Sequence, residues 1–419
     1  MVTKKRPNLS FKIFTEDWGI YKLEDLTEKI SDGIHTTPQY SEDGEYYFIN
    51  GNNLSNGKII ITETTKRVDS NEYNKLKVHI NSNTILLSIN GTIGNIAYYG
   101  GEPVLLGKSA AYLNLKSKHN KSFVYYSLQS PSVKSFFNSE LTGSTIMNLS
   151  LTTIKKTKIG LPSLEEQTKI ATFLSAVDSK ITSLERLVSH WQAYKKGIMQ
   201  QIFTQQLRFK APNGEDFPEW ETKTLGEIGS TYNGLSGKTK DDFGSGFPYI
   251  TYKSVFDNSR VDINRVEYVK VFISSNVEDK SEKQNKVEYG DIFFTVSSET
   301  PTEVGMSSVL LDEIDNCYLN SFCFGYRLND KVSFNPKFFQ HYLRSSEMRK
   351  CISILAQGST RYNISASNMM NLEIIVPSSE EQTKIATFLS SLDDKIAHLQ
   401  QQLTSYRQFK KALLQQMFV

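Results

Sequence analysis

The chain has 419 residues, 38% of them hydrophobic and 22% charged, the profile of a folded globular protein, and at roughly 100–200 residues per domain its length predicts two to four domains. No apolar run reaches the ~20 residues of a membrane span. The basic opening Lys4-Lys5-Arg6 leads into no apolar signal segment, and three cysteines without a CxxC pair exclude a disulfide framework, so a reducing cytoplasm is the expected location. The net charge of +3, from 48 basic and 45 acidic residues, taken alone argues weakly against a nucleic-acid protein, and six scattered histidines predict no metal site.

In chain order, residues 1–160 read as a mixed α/β domain with a β-rich run at Thr84 to Ser88, followed by the loop Asn90-Gly91-Thr92-Ile93-Gly94-Asn95. Residues 161–203 read as one long helix. Residues 204–375 return to mixed structure, with strands at Ile292 to Val296 and Phe322 to Arg327 and a short helix near Phe338 to Arg349. Residues 376–419 form a second long helix. Tyr46, Tyr47, Tyr98 and Tyr99, beside Gly- and Asn-rich turns, are expected near the surface.

The two long helices are copies of one another. Residues 161–203 and 376–418 match at a constant offset of 215, with 22 of 43 positions identical, which establishes an internal duplication. The match extends upstream: Gly143-Ser144-Thr145 with Asn148 answers Gly358-Ser359-Thr360 with Asn363, and Asp17-Trp18 answers Glu219-Trp220 at offset 202. Between these anchors the segments diverge, as expected of two recognition modules for different targets on one scaffold.

In the first copy Ile170, Leu174, Val177, Ile181, Leu184, Val188 and Trp191 recur in steps of four and three, and in the second Ile385, Leu389, Leu392, Ile396, Leu399, Leu403 and Tyr406 do so. A sustained 3.5-residue period is a coiled-coil seam. Ser163 to Glu166 and Ser378 to Glu381 predict reciprocal capping boxes. A parallel pairing would set Lys195 against Lys410 in the seam. Antiparallel pairing instead places Lys195 and Lys196 beside Asp393 and Asp394, and Lys410 and Lys411 beside Asp178, and is the expected arrangement; the alternative is that each helix packs on a separate partner protein. The predicted fold is α+β: two mixed α/β domains joined by two long helices in an antiparallel coiled coil with pseudo-two-fold symmetry.

No catalytic centre emerges. Asn335-Pro336-Lys337-Phe338 faintly resembles the loop with which amino-methyltransferases grip an extruded base, but no methyl-donor loop precedes it, and it reads as a helix cap with Pro in the first turn. Gly237-Lys238-Thr239 imitates the end of a P-loop whose first Gly is replaced by Tyr232. Glu165 and Glu166 are explained by their place at a helix start.

Pro-x-x-Glu-Glu-Gln-x-x-Ile-Ala-x-Phe-Leu at 162–174 and 377–389, each with a heptad helix after it and Gly-Ser-Thr-x-x-Asn-[Leu/Ile]-Ser before it, closely resembles the specificity subunits of type I restriction-modification systems. The resemblance implies a non-catalytic subunit with two target recognition domains, each reading one half of a bipartite double-stranded DNA site. It implies spacer helices that set the half-site gap and dock partners. Those partners are two modification subunits, which methylate adenine at N6 with S-adenosylmethionine, and restriction subunits, which translocate and cleave with ATP and Mg2+ in defence against foreign DNA. Side chains must then reach base edges while cations fix register on phosphate. Candidates are Lys66, Arg67, Lys75 and Lys77 for phosphate and Asn90, Thr92 and Asn95 for bases in the first domain, with Lys238, Lys240, Tyr252, Lys253 and Arg361 in the second. A fused methyltransferase-specificity enzyme and a non-DNA coiled-coil scaffold with two binding heads are the alternatives.

The near-neutral total is uneven. Residues 1–160 carry 19 basic and 14 acidic side chains, 204–375 carry 19 and 23, and each helix segment carries five and four. Weak DNA affinity of the chain alone is the expectation, with partners supplying phosphate attraction.

Overall fold

The computed structural model describes residues 4–143, 147–271 and 286–419; Ser144, Thr145 and Ile146 of the first Gly-Ser-Thr motif lie outside them. The chain divides into two units, Met1–Arg186 with Gln400–Val419, and Leu187–Leu399. The division falls within both long helices, so each unit takes part of each.

In the first unit, runs of β-branched and aromatic residues form nine strands used here: β1 (Trp18–Lys22), β2 (Thr27–Asp32), β3 (Tyr46–Ile49), β4 (Arg67–Val68), β5 (Thr84–Ser88), β6 (Ile96–Tyr98), β7 (Val104–Leu106), β8 (Ala110–Leu115) and β9 (Lys158–Leu161). An antiparallel sheet runs β2-β8-β5-β6. All five residues of β5 and all six of β8 are buried, which explains why these strands read as continuous apolar runs without alternation. A second sheet runs β7-β3-β4, with β3 parallel to β7, and β1 pairs with β9. Helices α1 (Ser70–Leu76), α2 (Lys121–Leu128), α3 (Pro131–Ser139) and α4 (Leu151–Lys156) precede the long α5 (Leu164–Phe203).

The second unit repeats this plan. Its strands are β10 (Glu221–Thr224), β11 (Gly229–Asn233), β12 (Phe243–Ile250), β13 (Glu267–Val269), β14 (Ile292–Thr295), β15 (Ser297–Ser298), β16 (Ser307–Val309), β17 (Tyr318–Leu319), β18 (Cys323–Leu328), β19 (Tyr362–Asn363) and β20 (Glu373–Val376). The main sheet is β11-β18-β14-β16, the second β13-β12-β17 with β12 parallel to β17, and β10 pairs with β20. Helix α6 (Tyr252–Asp257) follows β12, and α7 (Pro336–Tyr342), α8 (Ser346–Ile354) and α9 (Ala366–Met370) lead to α10 (Ser379–Gln416). The single helix expected at 338–349 is two, because Ser345 caps a new start by accepting from the Met348 N–H at 3.3 Å.

Antiparallel packing of the long helices is visible inside each unit. In the first, Ile170, Leu174 and Val177 join Leu413 and Met417 in one core, with Ile181 and Tyr406 packed against it, and Leu184 and Leu403 are buried. In the second, Ile385, Leu389 and Leu392 share a core with Ile202, flanked by Trp191 and Ile198; Ile396 and Leu399 are buried and Val188 is half-buried. The seam lysines are neutralised as that direction requires: Lys410 Nζ lies 2.7 Å from Asp178 Oδ1, and Lys195 Nζ lies 2.5 Å from Asp393 Oδ1.

The repeated Pro-Ser-x-Glu-Glu-Gln motif ties each long helix to its domain. Gln167 Oε1 accepts from the Asn120 N–H at 3.0 Å while its amide donates to the Pro162 carbonyl. Gln382 does the same with Asn335, at 2.9 Å, and Pro377. Asn120 and Asn335 are themselves the caps of α2 and α7.

The expected reciprocal capping boxes form on one side only. Ser163 Oγ and Ser378 Oγ accept from the N–H groups of Glu166 (3.3 Å) and Glu381 (3.4 Å), but the carboxylates turn elsewhere. Glu381, fully buried, accepts from Arg208 Nη2 at 2.8 Å, Arg208 Nε at 3.3 Å and Trp220 Nε1 at 3.1 Å. A half-buried guanidinium left unpaired costs more than an exposed cap amide, so the cation captures the carboxylate.

The segment before β1 serves the first unit as the segment after α5 serves the second. The Leu9 N–H donates to the Gln416 carbonyl at the end of α10, and the Leu207 N–H donates to the Gln201 carbonyl at the end of α5. Phe11 packs edge-on to Phe173 at 5.9 Å, and Phe209 to Phe388 at 5.6 Å.

Candidate nucleic-acid interface

Each unit gathers four chain segments where its buried central strand ends. The Ile89 N–H, just past β5, donates to the Ser109 carbonyl at 3.0 Å, and the Ile89 carbonyl accepts from Leu149 at 2.9 Å. Just past β14, the Val296 N–H donates to Phe322 and its carbonyl accepts from Ile364, both at 2.9 Å. The end of the first sheet strand closes in from the side: Ile34 bridges Gly107, and Leu235 bridges Asn320. Only glycine fits before these bridges, since a Cβ on Gly33 would lie 2.1 Å from the Leu106 carbonyl oxygen and one on Gly234 2.1 Å from that of Asn320.

Framework backbone bonds are therefore shared, and the side chains carried on them differ. In the first unit Asp32, His35, Asn90, Lys108 and Asn148 surround a cleft of ≈ 430 Å³. His35 Nε2 sits 2.8 Å from Asp32 Oδ2, and Asn90 bridges Asn148. Thr92 and Asn95 are exposed on a loop that Gly91 and Gly94 turn at φ +70° and +85°, steadied by Thr92 Oγ1 at 3.1 Å from Ser88 Oγ. Loop and cleft together offer amide and hydroxyl groups, a lysine and a histidine, all able to bond base edges.

In the second unit β15 pairs with β19, setting Ser298 opposite Tyr362 beside exposed Arg361. Tyr252 donates its hydroxyl proton to the Ser297 carbonyl at 2.7 Å; burial raises its pKa, and nearby Arg361 pulls it back. Glu303 accepts from Thr300 at 2.7 Å. Phe322 is 63% exposed.

Of the sequence candidates, the junctions bring together Asn90, Thr92 and Asn95 in one unit and Tyr252 and Arg361 in the other. Lys66, Arg67 and Lys77 belong to a different cluster, over the rings of Tyr40 (4.3 Å), Tyr47 (4.8 Å) and Tyr73 (5.7 Å). There Tyr46 and Tyr73 stack at 3.6 Å, and all four tyrosines 46, 47, 98 and 99 are half-buried. Lys75 lies 4.0 Å from Glu72. Lys253 forms an (i, i+4) pair with Asp257 at 2.6 Å, Lys240 opens a short 3-10 turn, and Lys238 is half-buried beside Gly237. Sequence reasoning missed His35, Lys108, Asn148 and Phe322. Asn148 carried a signal, being repeated as Asn363; the others lie in segments that differ between the copies.

The family model for the type I restriction modification DNA specificity domain matches the chain twice, at residues 15–188 and 218–405. The chain belongs to this family. A putative type I restriction enzyme specificity subunit, MjaX, of Methanocaldococcus jannaschii is 26% identical over 95% of this chain and 92% of its own length, and the MjaVIII specificity subunit of the same organism is 25% identical over 95% and 91%. The Escherichia coli EcoBI specificity subunit is 24% identical over 71% of this chain and 64% of itself. The type I system S subunit from M. genitalium has the same fold, with a TM-score of 0.59 and 18% identity over 99% of both chains. The two specificity domains coincide with the duplicated plan, and among the described residues no helix is long and apolar enough to cross a membrane.

Proposed function

We propose that the chain directs a type I restriction-modification complex in the cytoplasm to a split DNA target, each unit reading one half-site through its loop junction. The observation that carries this reading is the pairing of an identical backbone junction, at Ile89 and at Val296, with dissimilar side chains around it. A shared framework docks alike on duplex DNA, and differing polar and aromatic groups discriminate bases. The chain acts without catalysing. Two modification subunits bring S-adenosylmethionine and the adenine-N6 chemistry, with extrusion of the target base, and restriction subunits bring ATP- and Mg2+-dependent translocation and cleavage.

In this reading α5 and α10 set the gap between half-sites and dock the modification subunits. Both helices run unbroken across the division between the units. The test is to map methylated adenines in cells carrying the chain and its modification subunits, then again after inserting four residues between 177 and 188. The expected map is a bipartite motif whose gap lengthens by about two base pairs, since four helical residues add ~6 Å. An unchanged gap refutes the ruler, and methyl transfer by the purified chain alone refutes the non-catalytic role.

A further inference from the structure

The turn before the last sheet strand is held alike in both units, but its third residue points to different uses. In the first unit this is Ser109, whose hydroxyl is consumed internally: it donates to Asn50 Oδ1 and accepts from the Gly51 N–H, both at 2.9 Å. In the second it is Phe322. Its N–H donates to Asn320 Oδ1 at 2.7 Å, and its carbonyl accepts from Val296 at 2.9 Å. Asn320 is locked in turn, its amide donating to the Tyr249 hydroxyl at 2.8 Å. The backbone is fixed on both sides, yet the ring is 63% exposed and belongs to none of the apolar cores of its unit.

A rigidly presented, unburied aromatic at a base-reading junction has one apolar feature to meet in the major groove, the thymine 5-methyl group. We propose that Phe322 reads a thymine methyl in the half-site served by residues 187–399, an inference that rests on the target-reading role proposed above. A hydroxyl at the equivalent turn, already satisfied, leaves the first unit without this contact. The two halves therefore differ in chemistry at one structurally equivalent position, which two modules reading different sequences require.

The test uses the chain assembled with its modification subunits and duplexes carrying the mapped target. Each thymine of both half-sites is replaced singly by deoxyuridine, which lacks only the methyl group. Replacing one thymine, in one half-site, is expected to weaken binding by the wild-type complex about fourfold, the worth of one buried methyl-sized group. Phe322→Ser, which copies the first unit's residue at an exposed position, is expected to bind the thymine and deoxyuridine duplexes equally. Indifference of the wild-type complex to every replacement, or undiminished discrimination by Phe322→Ser, overturns the proposal. Absence of any bipartite target in the methylation map is a separate outcome that defeats the target-reading role itself.

Discussion

Glu166 and Glu381 stand at the same place in the two copies of the helix motif, and their surroundings have parted. Glu381 is completely buried and held by Arg208 and Trp220. Glu166 is also buried, at 3% exposure, but its tryptophan neighbour Trp18 leaves its indole N–H without a hydrogen-bond partner, and Arg6 donates instead to the Phe14 carbonyl at 3.2 Å. Burial pushes the Glu166 carboxyl above its ordinary range, with the Trp18 indole and Arg6 opposing. A second divergence lies on the seam. Tyr126 donates to Asp178 at 2.9 Å beside Lys410, whereas His341, its counterpart in the second unit, stands 3.8 Å from Asp393 with Nε2 unpartnered. Duplication has kept the fold and let its electrostatic fastenings drift, so the two units respond differently to the same perturbation.

The largest expected contrast is between the two glutamates. Glu381→Ala strands Arg208 and the Trp220 indole, and is expected to destabilise the second unit by about 3–5 kcal/mol. Glu166→Gln, which breaks no ion pair, is expected to leave the first unit nearly unchanged at neutral pH. Urea unfolding followed by pulsed hydrogen exchange resolves the units; equal losses would erase the contrast.

Acidification separates the units more finely. Burial, reinforced by Lys195, lowers the His341 pKa to about 3, outweighing the carboxylate of Asp393, which Lys195 already engages. Its folded value lies below its unfolded value near 6.5, so the stability it contributes is present above pH 6.5 and is lost as pH falls; by pH 5 the loss approaches ~2 kcal/mol. Glu166 has the opposite sign. Its raised folded pKa means that the stability it confers is present at low pH and is lost as pH rises through the folded value. The second unit is therefore expected to weaken between pH 7 and 5, and the first to gain slightly as pH approaches the Glu166 range. His341→Gln and Glu166→Gln are each expected to flatten the profile of their own unit alone. A profile unaltered by either substitution contradicts the assignment.

Much of the framework was legible in the sequence because it is periodic or repeated. The seam from Ile170 to Trp191 and from Ile385 to Tyr406, its antiparallel direction from Lys195 and Lys410, and the helix cap Asn335 all rest on local spacing and simple charge rules. The capping boxes were half legible: the serines act locally, but Glu381 is captured by Arg208, 173 residues away in sequence, which no local pattern encodes. The same holds for the interface. Asn90, Thr92 and Asn95 stood out because Gly91 and Gly94 announce a loop, whereas His35, Lys108 and Phe322 reach their places only through strand pairings between distant segments. Lys66 and Lys77 lie over the rings of Tyr40 and Tyr73, placements that local sequence does not encode.

If each unit reads one half-site, damage to one junction must alter one half of the target alone. Methylated adenines should be mapped in cells carrying the modification subunits with either the wild-type chain or Asn90→Ala/Asn95→Ala. The expected result is a bipartite motif in which that variant relaxes one half only and leaves the other half and the gap intact. A contiguous motif, or both halves changing together, would contradict it.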